Sequence, residues 1–242
     1  MKLLFSICLL VLATSLSAQK VEVKDVINRG RATLGADEVL DRLVTLQITG
    51  RLDPIDARVP PAIIAIIARK PCSQRMEIRV DDIVETHILH DAKNGCLIRS
   101  NLQTNASQIR KLTPPELERV VFSTRQFFSF YRPDFRNGET VTYEGIEQRR
   151  GVRSHKLTYA YPGGLTTTRY FSVNEDRLVS TITENKLESV PVGMQTIGGI
   201  RFPKAIEYYE DGRKLHTITF SSIKTNKPLQ EGIFDIPQGQ KN

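Results

Sequence analysis

The stretch LTPPELERVVFSTRQFFSFY, residues 112–131, sets the architecture, because it is a sharply marked helix inside a chain that otherwise alternates. Thr113 stands where an N-cap hydroxyl accepts from the third helical amide, and Glu116 reaches back to the Thr113 amide, forming a capping box. Pro114 takes the first helical position, where a missing N–H costs nothing, and Leu112 with Leu117 forms a hydrophobic staple. The pattern predicts a helix to about Tyr131, stopped before Pro133. Leu117, Val120, Val121, Phe127, Phe128 and Tyr131 share one stripe, which Phe122 and Phe130 widen. That is more apolar surface than a single core contact uses.

Outward from this helix the period is two. Upstream, Val44, Leu46 and Ile48 alternate with Thr45, Gln47 and Thr49 over residues 44–52, and strands are predicted at 62–70, 75–80, 83–90 and 95–100. Turn signals at Asp81-Asp82 and Lys93-Asn94-Gly95 separate them. Residues 62–68 are apolar at both parities, with Ile64 and Ile66 on one face and Ile63 and Ile67 on the other, which predicts a strand buried on both sides. Downstream of Gly138, strands are predicted at 140–148, 152–161, 166–173, 177–185, 189–196, 201–209 and 213–223. Gly151, Pro162-Gly163-Gly164, Asn174-Glu175-Asp176, Gly198-Gly199 and Asp211-Gly212 supply their turns. At the other end, Val23, Val26, Ile27 and Leu34 recur near helical spacing before Gly35, and a shorter helical pattern covers 36–43.

The fold class is mainly β with helices (α+β), in one domain over residues 19–242, since no linker or fixed-period repeat divides it. A curved antiparallel sheet with helices on its concave face gives each amphipathic helix a surface to cover.

Composition agrees with a folded chain. Of 242 residues 40% are apolar and 25% charged, with 15 Gly and 12 Pro, which excludes disordered and collagenous classes. Residues 1–18 read as a secretory signal peptide: Met1-Lys2, an apolar run Leu3–Ala13, then a small-residue exit at Ala18. Eleven apolar residues are too short to span a bilayer core of about 30 Å. Cys8 lies inside the apolar run, not at its exit, so no lipid-modified N-terminal cysteine is expected. The expected location is the periplasm, with only peripheral membrane contact, because the longest later apolar run, residues 59–68, contains Pro60-Pro61. Lys2 is the only charged residue of the first eighteen, so the processed chain keeps 33 basic and 27 acidic residues, a net charge of +6. The densest basic group, Arg149-Arg150 with Arg153, lacks interleaved aromatics, so nucleic acid is not an expected partner.

Polar constellations point to no chemistry. Asp82, Glu85, His87, His90 and Asp91 cluster in sequence, but His87 and His90 face opposite sides of a strand, so no metal site is expected. Glu144 and Glu147 are likewise expected on opposite faces, not across one cleft. There is no Gly-x-Ser-x-Gly, P-loop or dinucleotide fingerprint, and no catalytic residue or cofactor is assigned. Cys72 and Cys96 are the only cysteines after the signal and sit in a compartment that permits oxidation. A disulfide between them is a candidate. Against it, first and third strands of a meander lie about 9.6 Å apart, whereas bridged Cα atoms approach within about 7 Å.

Several ordered motifs carry a resemblance. They are Leu34-Gly35 before the first strand and its Gly50, Lys70-Pro71 before Arg75-Met76-Glu77, and Tyr143-Glu144-Gly145-Ile146-Glu147. Tyr170-Phe171 before Asn174-Glu175-Asp176-Arg177-Leu178 follows, then Gly198-Gly199-Ile200-Arg201-Phe202-Pro203, Asp211-Gly212, and an ending from Asn226 to Phe234-Asp235-Ile236-Pro237. In this order they resemble the periplasmic lipoprotein-carrier family (LolA/LolB-like), especially its outer-membrane lipoprotein-sorting branch. Trp residues common after the early turn of that family are absent, and Asp91–Cys96 stands there instead. The resemblance implies an incomplete, strongly curved antiparallel β-barrel of about 11–12 strands, covered by helices on its concave side, with an apolar cavity for acyl chains. On that reading the chain is a non-catalytic carrier whose partners are lipid or lipoprotein acyl chains. The alternatives are an envelope sensor or adaptor that binds a protein partner, and an enzyme. The residues expected to line the cavity are Ile64, Ile66, Leu117, Val121, Phe127, Phe128 and Tyr131. Export predicts a processed chain that begins at Gln19 and carries no lipid. N-terminal sequencing of protein from its native envelope checks this, and an intact Met1 contradicts it.

Overall fold

The chain runs strand by strand to one edge of its sheet, crosses back along a helix, and returns from the other edge. The computed structural model describes residues 21–237, so the signal peptide expected at 1–18 lies outside the described residues. Helices α1 (Val23–Ala32) and α2 (Asp37–Asp41) lead into β1 (Thr45–Pro54), β2 (Ala62–Arg69), β3 (Ser73–Val80), β4 (Ile83–Asp91), β5 (Asn94–Asn101) and β6 (Ala106–Lys111). After α3 (Pro114–Ser129) come β7 (Thr140–Arg149), β8 (Val152–Ala160), β9 (Thr166–Ser172), β10 (Leu178–Thr183), β11 (Leu187–Ile197), β12 (Ile200–Glu210) and β13 (Arg213–Thr225). The 13 strands form one antiparallel sheet in the order β6-β5-β4-β3-β2-β1-β13-β12-β11-β10-β9-β8-β7. It is not closed, and β6 and β7 are its free edges.

Register identifies the face that carries the helices. Ile48, Ile66, Met76, His87 and Leu97 stand in one row across β1 to β5, and Ile48 pairs with Ile223 of β13 on the other side. On this face Leu40 of α2 and Leu43 pack with Leu46, Ile48, Ile200, Phe202 and Ile223. Further round, Val26 and Ile27 of α1 pack with Leu157, Tyr159 and Phe171. Helix α3 touches both halves: Thr124 Oγ1 donates to Gln74 Oε1 of β3 at 2.9 Å, and Arg169 Nη2 of β9 donates to Gln126 Oε1 at 2.5 Å. In a flat sheet β3 and β9 stand seven spacings apart, or about 34 Å. A helix with its side chains is only about 10–12 Å across, so the sheet is curved.

The start of α3 is built as its sequence predicts, with the Thr113 amide donating to Glu116 Oε2 at 2.8 Å. Hydrogen bonds from Arg110 and Thr113 hold the Glu116 carboxyl well below the usual carboxylate range. Its end comes two residues earlier than expected, because Phe130 and Tyr131 take left-handed backbone conformations at φ 44° and 72°. There Arg31, 1% exposed, joins all three helices. Its Nη1 donates to the Ser129 and Phe130 carbonyls at 2.9 and 3.1 Å, its Nε to Asp37 at 2.9 Å and its Nη2 to Asp41 at 3.0 Å. Arg132 closes the group through Asp41 at 2.8 Å and Asp37 at 2.9 Å. Burial acts to raise the pKa of Asp41, but Arg132 and Arg31 outweigh it and hold the carboxyl below its ordinary value.

Several expectations are corrected. Among the described residues the strand count is 13, not 11–12, because Ala106–Lys111 adds an edge strand; its sequence ASQIRK is exposed throughout and carries no alternating burial to betray it. The β2 strand is not buried on both sides, since Ile63 is 50% exposed while Ile64 is buried. Glu144 and Glu147 do not face opposite sides: a register shift between Tyr143 and Gly145, where Gly145 has φ 110°, turns both onto Lys156 Nζ at 3.0 and 3.6 Å. Cys72 and Cys96 are both free and buried. The Cys72 thiol points to the Val121 carbonyl of α3, 3.9 Å away, whereas Cys96 pairs opposite Ile88 on the other face, and β4 lies between β3 and β5.

Three outcomes follow from these contacts. Arg31→Gln strips partners from two backbone carbonyls, that of Phe130 buried, and from two carboxylates, and lowers unfolding stability by about 3 kcal/mol, measured by urea titration. Because Asp41 has a depressed folded pKa, its stabilisation is present above the ordinary value of 3.8 and disappears as pH falls through the folded value. Asp41→Asn is therefore less stable than wild type at pH 7, and the gap narrows below that value in unfolding curves taken across pH. Thiol labelling of the denatured, unreduced processed chain yields two free thiols, and a result of none reinstates the bridge.

Candidate functional site

Three cavities adjoin α3, and their linings differ in kind. The largest, about 820 Å³, opens between α3 and the turns that precede β3 and β5. Phe128 lines it, but so do Lys70, Lys93, Arg125 and Arg132 and the acids Asp41, Asp91, Asp134 and Glu139. Lys70 Nζ donates to the Asp41 carbonyl at 3.0 Å and stands 5.6 Å from the Phe128 ring centre. Its charges are balanced, four basic against four acidic residues, so size alone does not make it an apolar site. The smallest, about 390 Å³, holds Leu117, Val121 and Phe122 against Tyr161, Pro162 and Leu165. Phe122 meets Tyr161 edge to face at 4.6 Å.

The remaining cavity, about 510 Å³, has an apolar wall of Leu34, Tyr131, Leu178, Pro191, Met194 and Ile206, with Thr33, Glu175, Arg177 and Arg201 also lining it. Its origin is a failure of strand pairing. β10 and β11 pair at only two positions, Thr181 with Ser189 and Ile182 with Glu188, whereas β11 follows β12 from Leu187 to Ile197. Pro191 has no N–H to give to a neighbour, and Gly193 takes φ 60°, open to glycine at little cost. Beyond Ser189 the strands therefore part, and the gap becomes a pocket beside the turns that follow α1 and α3.

Below the pocket, Tyr131 stands edge to face with Phe171 at 5.1 Å. Burial pushes its hydroxyl pKa up. Arg169 lies 4.2 Å from the Tyr159 ring centre and 5.5 Å from that of Tyr131, and among the described residues no carboxylate pairs with it. Burial acts against its charge, but the surrounding tyrosines favour it and the balance raises its pKa. It is the sheet's hold on Gln126 of α3.

The seven residues expected to form one lining are split. Ile66, Phe127, Phe128 and Tyr131 pack against one core cluster, and Ile64 is buried on the same face of β2. Tyr131 also lines the 510 Å³ cavity and Phe128 the 820 Å³ one, whereas Leu117 and Val121 face the separate 390 Å³ cavity. Leu34, Leu178, Met194 and Ile206 were not anticipated as lining. The signal that could have found them is Val190-Pro191-Val192-Gly193, since Pro and Gly inside a strand pattern mark broken pairing or a bulge. His87 Nε2 lies 2.9 Å from Glu85 and His90 Nδ1 lies 3.1 Å from the Phe234 carbonyl. Among the described residues no group of three or more His, Cys, Asp or Glu is placed to hold a metal ion. No helix among them is long and apolar enough to cross a membrane.

No protein-family profile and no curated protein matches the chain. Solved structures do. A protein of the DUF1329 family from Desulfovibrio piger superposes with a TM-score of 0.59 at 9% identity, over 88% of this chain and 97% of that one. An outer membrane lipoprotein-sorting protein domain, so described as putative, from Vibrio parahaemolyticus gives 0.56 at 8% identity over 86% and 94%. A LolA superfamily protein from Nitrosomonas europaea gives 0.54 at 10% identity over 88% and 97%. The fold of this chain is LolA-like.

Proposed function

We propose that the chain is a non-catalytic carrier of the cell envelope, exported with residues 1–18 removed, that holds lipoprotein acyl chains or another lipid in an apolar cavity. The helices cover the concave side of the open sheet, and the ligand enters where β10 and β11 part. One observation carries this reading: the 510 Å³ cavity walled by Leu34, Tyr131, Leu178, Met194 and Ile206, in the size range of small-molecule sites. An acyl chain gains about 0.8 kcal/mol per buried methylene, so such a wall retains a lipid without a reactive group. The LolA-like fold and the name of the lipoprotein-sorting neighbour point the same way.

Native mass spectrometry of gently purified protein is expected to show a co-purified lipid. Ile206→Trp fills the cavity, and lowers retention of a fluorescent fatty-acid analogue at least fivefold while circular dichroism stays unchanged. Full retention by the folded variant removes this cavity from the site. An empty cavity with a bound protein partner supports the adaptor reading instead.

A further inference from the structure

We infer that the occupant of the cavity between β10 and β11 is an anionic amphiphile with a single chain, whose carboxylate or phosphate head group rests against Arg201 and Lys204. This rests on the lipid-carrier reading of the cavity and adds the chemistry of the head group.

Charge bookkeeping at the rim leads there. Three charged residues line the cavity, and two of them, Glu175 and Arg177, are ion-paired with each other. Arg201 is exposed, and its Nη1 donates to the neutral Thr33 carbonyl at 3.1 Å. Lys204, also exposed, has its stem beside Gly193 of that lining, where an added Cβ would stand 3.3 Å from Lys204 Cδ. Among the described residues neither cation has a carboxylate partner. Acids close by in the chain are already occupied: Asp176 is held by Arg29 at 2.9 Å, and Glu188 by Arg149 and Arg150 at 2.8 and 2.9 Å. An apolar pocket thus has one uncompensated cation, Arg201, in its lining and a second, Lys204, beside its Gly193. A head group of opposite sign gains there, a neutral one gains nothing, and a cationic one is repelled.

Volume argues for one chain. At roughly 30 Å³ for each water-sized group, a cavity of about 510 Å³ takes about seventeen such groups, the content of one long alkyl chain.

The test uses the purified chain with N-phenyl-1-naphthylamine bound, displaced by palmitate, hexadecyl phosphate, hexadecanol or hexadecylamine below their micelle concentrations. An anionic ligand should displace the probe at about tenfold lower concentration than hexadecanol, and rising salt should shrink the preference. Preference for palmitate alone assigns a fatty carboxylate, and preference for hexadecyl phosphate alone assigns a phosphate head group. In the double variant Arg201→Gln, Lys204→Gln the ratio falls towards one, while Arg201→Lys retains it. Equal displacement by all four ligands overturns the head-group inference and leaves the carrier reading standing, as does a preference that survives the double variant. Failure of the probe and every amphiphile to bind removes the carrier reading and this inference together.

Discussion

A guanidinium buried among three helix ends is the contact on which the arrangement depends. Arg31 satisfies the Ser129 and Phe130 carbonyls at the end of α3, two of the groups that every helix leaves without an intrahelical partner. Its charge is compatible with burial because Asp37 and Asp41 stand at its other nitrogens. Both acids are half exposed and shared with Arg132, so part of the charge is returned to water. One residue of α1 therefore fixes where α2 lies and where α3 stops. The stop matters because Phe130 and Tyr131 turn inward there, Phe130 into the core and Tyr131 between that core and the 510 Å³ cavity.

Topology makes α3 more than a cover. The first six strands end at one edge and the last seven begin at the other, so the segment between them must cross the sheet. Flat, the edges would lie about 58 Å apart, against about 24 Å for a 16-residue helix. Curvature reconciles the two lengths, and Thr124 with Gln74 and Gln126 with Arg169 pin the helix to opposite arms. A sheet bent this far concentrates mismatch somewhere. In this chain it falls between β10 and β11, where a proline removes a donor and a glycine permits a left-handed bend.

Much of this was legible from the residues. Twelve strands and the cap of α3 follow from period, turn residues and the Thr113–Glu116 spacing, all of which are local, whereas the crossing of α3 from edge to edge is visible only in the strand order. The missed strand β6 is exposed on both faces because its edge is solvated, so it has no burial pattern to show. Glu144 and Glu147 were misplaced by a single bulge, since one inserted residue inverts parity for all that follows. The cavity was harder. Its wall draws on the residues that follow α1 and α3 and on three strands distant from them in sequence, and no local rule brings Leu34 to Ile206. Aromatic content drew attention to Phe127 and Phe128, which the structure uses largely as core.

Ligand chemistry in such a fold must be read from its own side chains. At 8–10% identity the solved neighbours share a fold with this chain and few residues, so their likeness speaks to the path of the backbone and not to what lies in a pocket. What separates the two larger cavities is not volume but the state of their charges. Around Phe128 each of Lys70, Lys93, Arg125 and Arg132 has acids in the same lining, and a chain placed there would displace water from charged groups at a cost. Around Met194 the one lining acid is tied to its own arginine, and the wall beyond is hydrocarbon, so burying a chain removes apolar surface from water with little polar desolvation to oppose it.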